Sequence, residues 1–189
     1  MLIIPDHLKQ SRLISDRYLA QQKKLHENPD YGVASEHFAP IVARVMNQYA
    51  VTQLLDYGAG KGRLGRTLMD QRMVDHRFLI QHYEPAMPEW AEEPEPSQMV
   101  ACIDVLEHIE PDLIDNVLDD LRRCTLEIGL FSIATEPAMK TLDDGRNAHL
   151  IIKPAAWWLP KLMARFDLHV FQKSNDGFFV LVTPNEVTQ

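Results

Sequence analysis

The chain has 189 residues, 46% of them hydrophobic and 24% charged, with a formal net charge of −8. Those values exclude a disordered chain, and the length suits one domain of ordinary size. A net acidic surface repels phosphate backbones, which argues against general nucleic-acid binding, and no apolar run reaches the roughly 18 residues that span a bilayer.

Leu8, Ile14, Tyr18, Leu19 and Leu25 recur at helical spacing and predict a helix over 6–27. Asn28-Pro29-Asp30-Tyr31-Gly32 breaks it. Ser35 reads as the N-cap of a second helix that runs to about 48. Residues 51–57 form a short apolar strand, followed by a glycine cluster and a helix carrying Leu64, Leu68 and Met69. A second strand covers 78–83. The stretch 85–97, with four prolines, has no period and reads as an irregular loop. A third strand over 99–105, a helix over 111–124 opened by Pro111, and a fourth strand over 126–134 follow. A polar loop spans 135–152. The next helix, 154–166, carries Trp157 and Trp158 and an interior Pro160 that can kink it. Strands over 168–172 and 178–183 are joined by Ser174-Asn175-Asp176-Gly177, whose Asp-Gly pair suits a hairpin. Strands alternating with helices predict a mostly parallel sheet covered on both faces, with the final pair antiparallel at one edge. Cys102 and Cys124 sit in apolar stretches outside any CxxC pair, so neither a disulfide framework nor a zinc knuckle is expected. The first residues lack the basic start and long apolar run of a signal peptide. The expected location is the reducing cytoplasm.

Half of the eight glycines, Gly58, Gly60, Gly62 and Gly65, fall within eight consecutive residues between a strand and a helix. Glycines there let a ligand approach the backbone, and the helix start presents unpaired N–H groups. Gly60, Gly62 and Gly65 match the dinucleotide pattern GxGxxG, with Glu84 downstream. That match keeps an NAD-dependent oxidoreductase as an alternative. The frame favours a different ligand. The first glycine after the strand is Gly58, so the pattern is D-x-G-x-G-x-G, and Asp56 at the strand tip would repel a pyrophosphate.

Asp56-Tyr57-Gly58-Ala59-Gly60-Lys61-Gly62 resembles the first motif of class I S-adenosylmethionine-dependent methyltransferases. Asp104-Val105-Leu106-Glu107-His108 is similar to the D-V-L-E-H segment after that family's fourth strand, and Glu84 matches its ribose-binding acid. The resemblance spans roughly 51–134. It implies an α/β, Rossmann-like three-layer sandwich whose cofactor is S-adenosyl-L-methionine. Gly58, Ala59, Gly60 and Gly62 would pack on the methionine part and ribose, and Asp56 would support the loop or the cofactor amine. Glu84, followed by Pro85, would accept both ribose hydroxyls. Ile103, Asp104, Val105 and Leu106 would border the methyl-transfer site. Only 19 residues separate Glu84 from Asp104, where the family fits a helix, a strand and an adenine-contacting acid. The fold is therefore expected to be shortened by one strand and one helix, with Met87 or Trp90 covering adenine.

Methyl transfer from a sulfonium needs alignment more than acid or base. His108 and His149 are the candidate bases for an acceptor that must lose a proton. The acceptor side is expected from the loop 135–152 and from the N-terminal helices, residues 1–50 of a single 1–189 domain, acting as a lid. Tyr31, His37, Arg146 and Trp157 are its candidate contacts. Asp104, Glu107, His108 and His149 resemble the two-carboxylate, two-histidine metal set of small-RNA terminal methyltransferases. The first position is Asp rather than Glu, and the acidic charge disfavours RNA, so no metal ligand is assigned. The expected activity is methyl transfer to an oxygen or nitrogen of a small molecule, by a monomer or homodimer. The alternative within this fold is an S-adenosylmethionine-binding protein without catalysis.

Overall fold

A computed structural model of the chain describes residues 12–28 and 32–186. Its helices are α1 (Asp16–His26), α2 (Ala34–Gln48), α3 (Arg63–Asp70), α4 (Ile114–Cys124) and α5 (Ala155–Met163). Its strands are β1 (Gln53–Tyr57), β2 (Leu79–Tyr83), β3 (Ser97–Ile103), β4 (Thr125–Ala134), β5 (Phe166–Lys173) and β6 (Gly177–Pro184). One sheet holds all six, in the order β2-β1-β3-β4-β6-β5. The first four strands are parallel, and β6 runs antiparallel to both β4 and β5.

The apolar run Met99-Val100-Ala101-Cys102 explains why β3 is central. Side chains alternate across a strand, so an unbroken apolar run needs cover on both faces. Val100, Cys102 and Phe131 pack with α4 and α5 through Val117, Leu118, Leu121 and Trp158. Met99, Ala101 and Leu130 pack on the other face with α2 and α3 through Val42, Met46, Leu64 and Leu68. The result is three layers. α2 is thus a core helix and not a cover, and its buried residues face α3 and the sheet.

Several boundaries move, each for a local reason. Residues 1–11, where the first predicted helix begins, lie outside the described residues. Among those described, α1 starts at Asp16, because Ser15 Oγ accepts the Tyr18 N–H at 3.1 Å. The Ser15 N–H and Oγ–H donate in turn to Glu110 at 2.8 and 2.7 Å, which pins the helix start to the domain. α2 begins one residue before the expected Ser35 cap: Gly32, at φ +78°, turns the chain so that Val33 occupies the cap position. β3 stops at Ile103 and not at 105, because Asp104 takes φ +53°. Pro111–Leu113 is a tight 3-10 turn ahead of α4. α5 ends at Met163, since Phe166 already belongs to β5. Between Glu84 and Ser97 there is only a 3-10 turn, Pro88–Trp90, so the shortening by a strand and a helix is present and β2 is an edge. No helix among the described residues is long and apolar enough to cross a membrane.

Candidate functional site

A cavity of about 500 Å³ opens at the carboxyl ends of β1, β2 and β3. Ligands of open α/β sheets bind at this end. The glycine turn and Glu84 form one wall, and His108 and His149 form another. Tyr18, Gln22 and His26 of α1 lie along it, and residues 137–140 close the far side.

The turn follows directly from β1. Gly58 and Gly60 adopt φ +76° and +54°, which side chains with a Cβ disfavour. The Gly58 and Ala59 N–H groups donate to the Tyr83 carbonyl at 2.8 and 2.9 Å, tying the turn to the tip of β2. A Cβ on Gly58 would lie 2.4 Å from Val105 Cγ2, so the two sequence motifs touch each other here. Gly62 also has a positive φ of +64°, but its neighbour is the Trp90 ring, 2.8 Å from where a Cβ would be. Gly62 does not line the cavity.

Glu84 directly follows β2 and lines the cavity. Its Oε2 accepts the Gly60 N–H at 3.2 Å and its Oε1 the Ala86 N–H at 3.0 Å. A carboxylate has about four acceptor positions, so capacity for ligand hydroxyls is left. Burial raises the Glu84 pKa above the ordinary carboxylate value, against the pull of the two N–H groups. His26 Nε2 stands 3.9 Å from Glu84 Oε1. Burial first, then the nearby Lys61 charge, pushes the His26 imidazole down to about 4, so it is neutral at pH 7.

Other cofactor candidates are placed differently. Asp56 is 3% exposed and is absent from the cavity wall. Its Oδ2 lies 3.3 Å from His82 Nδ1, and the His82 ring packs on Trp90 with centroids 4.7 Å apart. Asp56 therefore braces β2 and does not face a ligand amine. Neither Met87 nor Trp90 reaches the cavity, because Trp90 is held on the outside of α3 by Gly62 and His82. Ala59, Pro85, Ile103, Asp104 and Val105 do line it, whereas Leu106 is fully buried behind it.

On the opposite wall, Asp104 keeps its left-handed backbone through Ser132. The Asp104 N–H donates to Ser132 Oγ at 3.0 Å, and the Ser132 hydroxyl donates to Asp104 Oδ1 at 2.7 Å. Burial raises the Asp104 pKa. His108 Nδ1 lies 2.8 Å from the Ala148 carbonyl, and His149 Nδ1 lies 2.6 Å from the Glu136 carbonyl. A carbonyl only accepts, so both Nδ1 atoms carry a proton, and in a neutral ring Nε2 is then the atom with the lone pair. The two rings meet edge to face at 4.7 Å. Burial, then His149, pushes His108 down to about 4. Glu107 is fully buried, and desolvation followed by the Asp104 charge pushes its carboxyl up to about 8. Of the four residues resembling a metal set, Glu107, His108 and His149 come together, while Asp104 stays with Ser132.

Of the expected acceptor contacts, the three among the described residues, His37, Arg146 and Trp157, do not line the cavity. Tyr31 lies outside the described residues. His37 is exposed on α2, away from the cavity. Arg146 pairs with Asp144, Nη2 to Oδ2 at 2.7 Å. The loop turns back at Gly145, whose N–H donates to the Leu142 carbonyl at 3.0 Å, and the Leu142 N–H meets the Arg146 carbonyl at 2.8 Å; this hairpin carries Arg146 to the surface. Trp157 packs edge-on against Trp158 with Lys161 Nζ 5.2 Å from its ring centroid. The residues that do line this side include Tyr18 and Gln22, which helical periodicity alone reads as ordinary helix positions. Ser132 had one visible signal, a hydroxyl inside the apolar run Ile128–Ala134.

No family model matches the sequence, and no curated protein matches it by sequence. Solved structures do match it. The chain is similar to a Burkholderia thailandensis 1,6-didemethyltoxoflavin-N1-methyltransferase with bound 1,6-didemethyltoxoflavin and S-adenosylhomocysteine: TM-score 0.63, 15% identity, 94% of each chain covered. A SAM-dependent methyltransferase from Aquifex aeolicus matches with TM-score 0.56 and 16% identity over 88% of this chain and 98% of that one. The DhpI–SAH complex matches with TM-score 0.57 and 14% identity over 89% and 96%. With the strand order, the antiparallel closing hairpin and the glycine turn after β1, these likenesses identify the fold of this chain as that of the class I S-adenosylmethionine-dependent methyltransferases.

Proposed function

We propose that this chain binds S-adenosyl-L-methionine and transfers its methyl group to an oxygen or nitrogen of a small molecule held in the cavity. One observation carries the reading: a single cavity joins the Gly58–Gly60 turn and Glu84 to the wall bearing His108 and His149. The residues fit the cofactor. Gly58 and Gly60 bring backbone without a Cβ to the cavity wall, and Glu84 is a half-buried carboxylate, 13% exposed, with acceptor capacity to spare for ribose hydroxyls. When bound, the cofactor supplies an electrophilic methyl on sulfur. The chain's own contribution is orientation, which by itself can supply a large share of the rate. His149 can take a proton at Nε2 from an acceptor that must lose one. The strand order, with β6 antiparallel, speaks against the dinucleotide-binding alternative, whose sheet is mostly parallel.

Titration calorimetry with S-adenosylmethionine, its demethylated product and NAD tests the reading. Both sulfur ligands should bind and NAD should not; NAD binding with no heat from either sulfur ligand overturns it. Glu84→Gln removes one acceptor oxygen and its charge, an interaction of about 1.5–3 kcal/mol, so affinity should fall about 10- to 100-fold. Gly60→Val should abolish binding, since the φ of +54° is incompatible with a β-branched residue and a Cβ there already lies 3.3 Å from His26. Binding without turnover on any acceptor would favour the non-catalytic alternative. The connection between Glu84 and Ser97, which carries no strand or α-helix, is the observation that keeps that alternative open.

A further inference from the structure

We infer that α1 and residues 138–150 form a two-leaf lid over the cavity, latched along one seam by ion pairs, and that parting of the leaves sets how fast a ligand enters and leaves. The part that concerns the nucleoside rests on the cofactor reading above; the lid itself rests on packing and charge. Both leaves line the cavity, α1 through Tyr18, Gln22 and His26 and the loop through Ala138, Ala148 and His149.

Three features set the leaves apart from the body of the domain. The first is packing. The two faces of the sheet have cores built with α2 to α5, and α1 belongs to neither. Its apolar side chains Tyr18 and Leu25 pack instead with Ala138, Leu142, Ala148 and Leu150 of the loop, in a small cluster that holds no strand residue among those described. Few buried apolar contacts mark a segment that opens well before the domain unfolds. The second is length. α1 has 11 residues, fewer than the roughly 12–15 that an isolated helix needs, so it depends on the loop it packs against. The third is the latch. Lys24 Nζ donates to Asp143 Oδ2 at 2.6 Å, and Arg17 Nη2 and Gln21 Nε2 donate to Asp144 Oδ2 at 3.3 and 3.0 Å. Positions 17, 21 and 24 share one helix face, and all three reach the tip of one hairpin, whose arms pair at Thr141 and Asn147. The Lys24 and Asp143 side chains are 64% and 61% exposed. Exposed ion pairs are weak and screened by salt, which suits a latch that releases.

Each leaf is tied to the domain at its ends. Ser15 bonds Glu110 through its N–H and its hydroxyl, and the Lys61 ammonium donates to the Asn28 carbonyl. On either side of the loop, the Thr135 N–H donates to the Asp176 carbonyl at 2.8 Å and the Ile151 N–H to the Glu107 carbonyl at 2.9 Å. Between these ties the leaves meet through the small cluster and the latch, so they can part there with the anchors in place. A nucleoside held by Glu84 would lie against α1, because His26 Nε2 stands 3.9 Å from Glu84 Oε1 and His26 Cε1 is 3.3 Å from where a Cβ on Gly60 would be. Its entry and exit therefore displace α1. The loop leaf carries His149, so the same movement opens the acceptor wall.

Stopped-flow association and displacement of S-adenosylhomocysteine test the lid. Loosening the latch destabilises the closed lid equally with and without ligand. Association and dissociation should therefore speed up together and leave Kd unchanged, whereas a fixed wall that merely loses a contact changes dissociation and Kd. Lys24→Glu should raise both rates about two- to fivefold, the range of one exposed ion pair, with Kd within about twofold of wild type. Adding Asp143→Lys re-forms the pair in reverse and should restore the wild-type rates. Both positions are exposed, so the variants leave the cores intact. In the ligand-free protein, the amides of α1 and those of Leu142 and Ala148 should show one common protection against hydrogen exchange, lower than that of β3, and Lys24→Glu should lower both alike. Unchanged rates in Lys24→Glu, dissociation that rises alone, or exchange that speeds up in α1 without the loop each overturn the lid. If S-adenosylhomocysteine does not bind the wild type, the cofactor reading falls, and the exchange measurement by itself decides on the lid.

Discussion

Gly58→Ala is the sharpest probe of how the two motifs fit together. The substitution adds one methyl group at φ +76°, where an L residue is strained by roughly 1–2 kcal/mol. The new Cβ would lie 2.4 and 2.9 Å from the two Val105 methyls and 3.2 Å from Val105 Cβ. Valine is stiff at χ1, so it cannot swing aside cheaply, and the loop or the 104–105 backbone must shift. Overpacking of that kind costs about 1–3 kcal/mol. The total, about 2–5 kcal/mol, is a large part of the roughly 5–15 kcal/mol that holds a domain folded. Urea unfolding of wild type, Gly58→Ala, Val105→Ala and the double variant measures it, with equal m-values as the condition for comparison. Val105→Ala removes the two closest atoms, so the double variant should recover about 1–3 kcal/mol relative to the sum of the single changes. A cost below about 0.5 kcal/mol for Gly58→Ala, or strictly additive effects, would refute the argument that Val105 sets the shape of the glycine turn.

Two further outcomes follow from the charges. The folded-state pKa of His26 is depressed to about 4 from 6.5, so folding disfavours its proton; its contribution is complete above pH 6.5 and is lost as pH falls toward 4. Melting temperatures between pH 7.5 and 4.5 should therefore fall further for wild type than for His26→Gln, and parallel curves would remove His26 from the acid response. Arg146→Ala should leave both S-adenosylmethionine affinity and the urea midpoint unchanged, because its ion pair with Asp144 is a surface contact. A tenfold loss of affinity would instead place the guanidinium at the site.

Much of the architecture is legible in the residues. The apolar run of β3 demands cover on both faces, the Asp-Gly turn closes an antiparallel pair, and the short span from Glu84 leaves no room for another strand and helix. The glycine cluster and Glu84 were also readable as a ligand cradle, because bare backbone and a carboxylate at strand tips have local meaning. Side-chain direction was not readable. Asp56 belongs to the same motif as Gly58, yet alternation along β1 turns it to His82, away from the cavity. Trp90 was a reasonable aromatic cover until Gly62 offered it a seat on the other side of α3. Arg146 found its partner two residues away once the loop folded back. By itself, then, the sequence determined the layers, the mostly parallel sheet with its closing antiparallel pair, and the place of the glycine turn, since these rest on periodicity and on glycine's freedom along a short stretch of chain. Only the tertiary structure decided that Val105 closes the turn at Gly58, that Ser132 draws Asp104 aside, and that Glu107, His108 and His149 converge. Those are meetings between elements some 25 to 50 positions apart, set by sheet register and loop closure, and no local pattern encodes them.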